Sequence, residues 1–128
     1  MRTWIGVDFD GTLAMHSVSA TELGQPIPLM VERVRRWLAE GRDVRIFTSR
    51  AAYIDNSEWS AELQIGLIQA WCVEHLGVAL PVTATKTMDM SEFWDDRAVQ
   101  VIPNTGLPVM DQVPLKPDNE IPLATPGV

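Results

Sequence analysis

Asp8 and Asp10 stand one residue apart at the end of the apolar run Trp4-Ile5-Gly6-Val7, and Gly11-Thr12 follow at once. Residues i and i+2 of a strand project to the same side, so a strand ending here crowds both carboxylates into one place. Two bare carboxylates about 4 Å apart repel by about 4 kcal/mol at an effective dielectric of about 20. A cation between them removes that cost, and so does a proton on one of them. Both remedies belong to acid–base or metal-assisted chemistry. Three other chemical groups also close short, largely apolar runs. Val44-Arg45-Ile46-Phe47 ends in Thr48, with Ser49 and Arg50 just beyond; Pro81-Val82-Thr83-Ala84-Thr85 ends in Lys86; Glu92-Phe93-Trp94 ends in Asp95-Asp96.

The elements that must position these groups follow from periodicity. Residues 4–8 form a continuous apolar strand of the kind buried on both faces. Residues 14–27 have no clear period and read as a loop. Pro28 suits a first helical turn. From 29 to 40, Leu29, Met30, Val34, Trp37 and Leu38 recur at three- and four-residue spacing, which predicts an amphipathic helix stopped by Gly41. A second strand covers 44–48, where Arg45 interrupts the apolar run and is expected near a strand edge. A longer helix over 57–76 would bury Trp59, Leu63, Leu67, Ile68, Trp71 and Cys72 and end at Gly77. Further strands are expected at 81–86, 92–95 and 99–102. Strands alternating with helices of this length predict right-handed crossovers and a mostly parallel sheet covered on both faces. In such a three-layer, Rossmann-like α/β fold ligands bind beyond the carboxyl ends of the strands. Asp8, Thr48, Lys86 and Asp95 should therefore converge.

Composition narrows the class. The 128 residues suffice for one domain with a core, and 46% hydrophobic with 21% charged residues is ordinary for a globular chain. No apolar run reaches the roughly 20 residues that span a bilayer, and the N-terminus passes straight into a strand pattern without a signal peptide. A cytoplasmic protein with no membrane partner is the expectation. A net charge of −7 argues against a general nucleic-acid-binding surface. Cys72 is the single cysteine, so neither a disulfide framework nor a cysteine zinc site is available. Six of the nine prolines lie beyond residue 102, which divides the chain into a domain at 1–102 and a proline-rich tail at 103–128. The tail reads as an extended surface segment. Its apolar residues, among them Leu107, Val109 and Val113, leave packing against a second copy of the chain as an alternative, and hence a homo-oligomer.

The constellation resembles the haloacid dehalogenase superfamily of aspartate-nucleophile phosphohydrolases over residues 3–102. The matching motifs are Val7-Asp8-Phe9-Asp10-Gly11-Thr12, the strand ending in Thr48, Lys86, and Phe93-Trp94-Asp95-Asp96. The resemblance implies that Asp8 attacks a phosphoryl group and becomes an aspartyl-phosphate, with Asp10 as acid and then base. It implies a raised pKa for Asp10, set by the neighbouring Asp8 charge and burial. It further implies magnesium on the Asp8 carboxylate, the Asp10 carbonyl and the Asp95 carboxylate, with Asp96 farther out. Thr48 and Lys86 would hold the phosphate, Gly11 would turn the backbone so that amides face it, and Phe9 and Ser49 would line the substrate site. Arg50 would hold a second anionic group of the substrate. His16 reads as a surface residue within a substrate's reach.

Neither stretch where such enzymes insert a cap domain is long enough here, so the chain resembles the cap-less class, whose substrates include nucleotides and polynucleotide ends. Two other classes compete. A phospho-accepting receiver-like module also gathers carboxylates, magnesium, Thr and Lys, but its acceptor aspartate would stand where Thr48 does. A catalytically idle protein acting through its tail would leave a costly carboxylate cluster unused.

Overall fold

The structure, a computed structural model, describes residues 2–109. Its elements are β1 (Trp4–Val7), α1 (Pro28–Ala39), β2 (Asp43–Phe47), a 3₁₀ turn (Ser49–Ala51), α2 (Ala61–Leu76), β3 (Val82–Thr83) and β4 (Met90–Trp94). The four strands make one sheet in the order β3-β2-β1-β4, every neighbouring pair parallel. The fold is the expected α/β, Rossmann-like, three-layer class, and no cap domain occurs among the described residues.

Alternation along β1 explains the layers. Ile5 and Val7 face one way and join Val44 and Ile46 in a core closed by Val31 and Val34 of α1 and Ile68 and Trp71 of α2. Trp4 and Gly6 face the other way. There the Trp4 and Phe47 rings meet edge to face, as do Phe47 and Phe93, and the Arg45 guanidinium lies 4.7 Å from the Trp4 ring centroid. A side chain at Gly6 would strike Met90 Sδ at 2.7 Å, which explains the glycine in this strand. β3 pairs only Ile46 and Phe47, so Arg45 sits where β2 is locally an edge.

The second covering layer is not a helix. A parallel crossover usually takes a dozen or more residues, yet β3 and β4 are joined by residues 84–89 alone. That connection must pass three strand spacings, about 14 Å, within an extended reach of about 20 Å. It is therefore drawn obliquely across the Trp4 face, where Thr87 and Asp89 accept hydrogen bonds from the Trp4 indole at 2.9 and 3.2 Å.

Helix ends follow the sequence closely. Pro28 opens α1, and Gly77 closes α2 in the left-handed conformation at φ +83°. α2 starts at Ala61 rather than at 57, because the Ser60 hydroxyl accepts from the Leu63 amide and caps it there. Its buried face is Gln64, Ile68, Trp71 and Cys72, while Leu63 is 44% exposed. Burial in apolar surroundings pushes the Cys72 thiol up to about 11, which suits its expected role as a small core residue.

The chain divides into two compact units, the first running through Asp96 and the second starting at Arg97. In the second unit, the expected strand at 99–102 reduces to a single bridge between Val101 and Pro108 around a tight turn, with Asn104 and Gly106 at positive φ. The part of the expected proline-rich tail beyond Val109 lies outside the described residues.

Candidate active site

The register of β1 builds the site. Val7 stands opposite Ile46 of β2 and Trp94 of β4, so Asp8 and Asp95 leave the sheet side by side. The Asp8 amide donates to the Trp94 carbonyl at 2.9 Å, which continues the pairing to the last residue of β4. Asp8, Asp95 and Asp96 each offer an oxygen within 4.8 Å of the others. Thr12 reaches into the same group, with its hydroxyl 3.5 Å from both an Asp8 and an Asp96 oxygen.

Gly11 makes this approach possible. It turns the chain at φ +86°, and a Cβ there would lie 2.7 Å from Asp96 Oδ2. Any side chain would thus meet both backbone strain and the carboxylate itself.

Burial, then the charge of Asp95, pushes the Asp8 carboxyl from 3.8 up to about 8, and Asp96 adds to the effect. Its sign sets the pH dependence. The fold keeps a proton on Asp8 that the unfolded chain releases above about 3.8, so this site's contribution to stability is full at low pH and is lost as pH rises toward 8. Three converging carboxylates are hard oxygen donors of the kind a magnesium ion takes. The donor set fits such an ion, with Asp8, Asp95 and Asp96 as holders. The expected outcome is that magnesium raises the melting temperature of EDTA-treated protein at pH 8.5 much more than at pH 5, because ligation requires the deprotonated cluster. Scanning fluorimetry at the two pH values checks this, and no shift at either would remove the metal.

Asp10 lies outside this cluster. Both its oxygens accept from Arg50, Nε at 2.6 Å and Nη2 at 3.0 Å. The same guanidinium donates to Gln64 Oε1 at 2.9 Å and to the Ser17 carbonyl at 3.1 Å, and only 4% of the Arg50 side chain is exposed. Two expectations change. The charge paired with Asp10 is Arg50 rather than Asp8, and Arg50 spends its donors inside the protein rather than on a substrate anion. A carboxylate has about four acceptor positions, so Asp10 retains free lone pairs while fixed in orientation.

The other expected residues separate cleanly. Thr48 is buried next to the carboxyl end of β1, and its oxygen accepts from the Arg50 amide at 3.1 Å, leaving its proton to donate. Ser49 is exposed on the 3₁₀ turn. Phe9 cannot touch a substrate with its ring, which is fully buried edge-on against Trp71 with ring centroids 5.0 Å apart; its amide instead bonds the Asp8 carboxyl. Lys86 makes no ion pair with Asp8, Asp95 or Asp96. It is exposed and, among the described residues, in no other ion pair, because it rides on the oblique β3–β4 connection just before Thr87 is tied to Trp4. His16 is exposed.

Sequence reasoning gave no role to Thr12 or Gln64 and placed Trp59 in the core. Gln64 did leave a signal: it is the one polar position on the buried stripe with Ile68, Trp71 and Cys72.

No known family model matches the chain, and no curated protein does. A solved structure of a conserved protein from Bacteroides thetaiotaomicron is similar at 23% identity and a TM-score of 0.54, over 81% of this chain and 84% of that one. At this identity the likeness shows a shared fold.

Proposed function

We propose that the protein is a phosphomonoesterase of the haloacid dehalogenase type that works through an aspartyl-phosphate on Asp8. The observation that carries the reading is the crowding of Asp8 with Asp95 and Asp96 at the carboxyl edge of the sheet, beside an Asp10 held in place by Arg50. A carboxyl that burial and two like charges push up to about 8 is of the kind that catalytic sites hold, and it adds support to the reading.

In this reading Asp8 attacks phosphorus in line and the ester oxygen leaves with its electron pair, taking a proton from Asp10. Water then attacks the phosphoryl group, gives a proton to Asp10, and releases inorganic phosphate with the Asp8 carboxylate restored. The hydroxyl of Thr48 donates to a phosphoryl oxygen as it gains charge; the Gly11 and Thr12 amides, which the sequence suggested for this role, are spent on the Ala14 and Phe9 carbonyls. Magnesium on Asp8, Asp95 and Asp96 would supply the positive charge that lets Asp8 ionise and offsets that of the phosphate. With Lys86 in no ion pair to the cluster, that charge falls more heavily on the metal. A receiver-like module fits less well, since β2 is followed by Thr48 and not by an acceptor aspartate.

The test is hydrolysis of p-nitrophenyl phosphate by EDTA-treated protein. Phosphate release should appear on adding magnesium and cease on chelation. Absence of magnesium-dependent release from this ester, from sugar phosphates and from nucleoside monophosphates alike would overturn the proposal.

A further inference from the structure

Next to Thr48 lies a cleft of about 390 Å³ lined by Ser49, Arg50, Tyr53 and Trp59. Half of its lining residues are aromatic, and the backbone that presents them is tied down. The Tyr53 carbonyl accepts from the Ala61 amide at 2.7 Å, at the start of α2. The Trp59 amide donates to Ser57 Oγ at 3.0 Å, and Ser57 is itself bonded to Asp55 at 2.8 Å. The Trp59 ring lies against the Arg50 guanidinium, 5.1 Å from its centroid, so the clamp that fixes Asp10 also fixes one wall of the cleft.

These rings are not spent on the core. Tyr53 is 59% exposed and Trp59 half-buried. Among the described residues neither the Tyr53 hydroxyl nor the Trp59 indole N–H has a hydrogen-bond partner; the indoles of Trp4, Trp71 and Trp94 donate, while that of Trp37, buried in the core, does not. Solvent-facing aromatic walls with free polar edges suit a flat heteroaromatic ring, which stacks on one face and hydrogen-bonds at its rim.

We propose that this cleft takes the base of a nucleoside monophosphate whose phosphate lies at Asp8, which makes the mononucleotide the substrate class. The inference rests on the phosphomonoesterase reading for its phosphate end. The cleft's volume suits one base with its sugar rather than a strand. A net charge of −7 disfavours a polynucleotide backbone, which clustered lysines and arginines would hold. Ser49, exposed between Thr48 and the aromatic walls, presents a hydroxyl where the sugar of such a ligand would pass.

The experiment compares adenosine and uridine monophosphates with ribose 5-phosphate, the same kind of ester without a base. In the natural protein kcat/KM should favour the nucleotides by about tenfold or more, the scale of one stacked base. Tyr53→Ala should collapse that ratio toward one, and Tyr53→Phe should keep the part of it that comes from stacking. A second measurement needs no turnover: calorimetric binding of adenosine monophosphate to Asp8→Asn protein should weaken about tenfold when Tyr53→Ala is added. Turnover of ribose 5-phosphate as good as that of the nucleotides, with binding indifferent to Tyr53, overturns the cleft and leaves the phosphomonoesterase. Tyr53-dependent binding without turnover of any ester supports the cleft and removes the phosphomonoesterase instead. Faster turnover of a phosphotyrosine peptide than of either nucleotide would also overturn the cleft assignment.

Discussion

Asp8→Asn is expected to abolish phosphate release, by about 10⁴-fold or more, because it removes the attacking oxygen rather than a contact that assists it. The amide is nearly isosteric, so the fold should persist, and stability gives an independent readout. In the natural protein the Asp8 carboxyl carries a folded-state value of about 8 against 3.8 unfolded, through burial and the adjacent Asp95. At pH 9 without metal, the fold therefore bears the full cost of an ionised group among like charges, a cost absent near pH 4. Asn bears no such charge. Metal-free Asp8→Asn protein should melt higher than the natural protein at pH 9, with the gap closing as pH falls toward 4. It should also lose most of its response to magnesium. An inactive variant that melts lower at pH 9 would show that Asp8 matters for packing, and the nucleophile assignment would fail.

Arg50→Ala has the second-largest expected effect. Arg50 makes four hydrogen bonds from a side chain that is 4% exposed, two of them to Asp10. Removing one partner of such a pair leaves Asp10 and Gln64 unsatisfied and costs about 3 kcal/mol or more. Lysine keeps the charge but lacks the planar fork that grips both carboxylate oxygens. Arg50→Lys should fold better than Arg50→Ala while still losing the orientation of Asp10. As a positioning residue, Arg50 acts through proton transfer, so its loss should lower kcat by about 10²-fold or more on alkyl phosphates. The loss should be much smaller on p-nitrophenyl phosphate, whose leaving group needs little protonation. KM should change little. A rise in KM with no dependence on leaving group would return Arg50 to the role its sequence position suggests, a grip on a second substrate anion.

Arg50 also shows where sequence reading stops. The carboxylate cluster was legible because strand geometry is local: Asp8 after Val7 and Asp95 after Trp94 are placed by the period of two and by parallel pairing. Thr48 was legible on the same ground. The partner of Asp10 was not, since it depends on a residue 40 positions away turning inward and on Gln64 of a helix meeting it. Lys86 was misplaced because a lysine after a strand pattern reads as a strand-end group. The true strand stops at Thr83, and its neighbours in space are decided by how few residues remain to reach β4. Trp59 reads as part of a helical stripe, but the cap at Ser60 cuts the helix short and leaves the ring half-buried against Arg50.

The central position of β1 has a consequence for how the chain folds. β1 precedes the other three strands in the chain, yet one of its two sheet neighbours, β4, is the last of them, and Thr12 meets Asp96 across 84 residues of sequence. Contacts of such separation form late and slowly. A nascent chain can pair β1 with β2 and dock α1 early, but it holds an open edge on its central strand until residue 94 has emerged. The acidic cluster is assembled only by that last closure, so an incomplete chain carries none of the assembled chemistry.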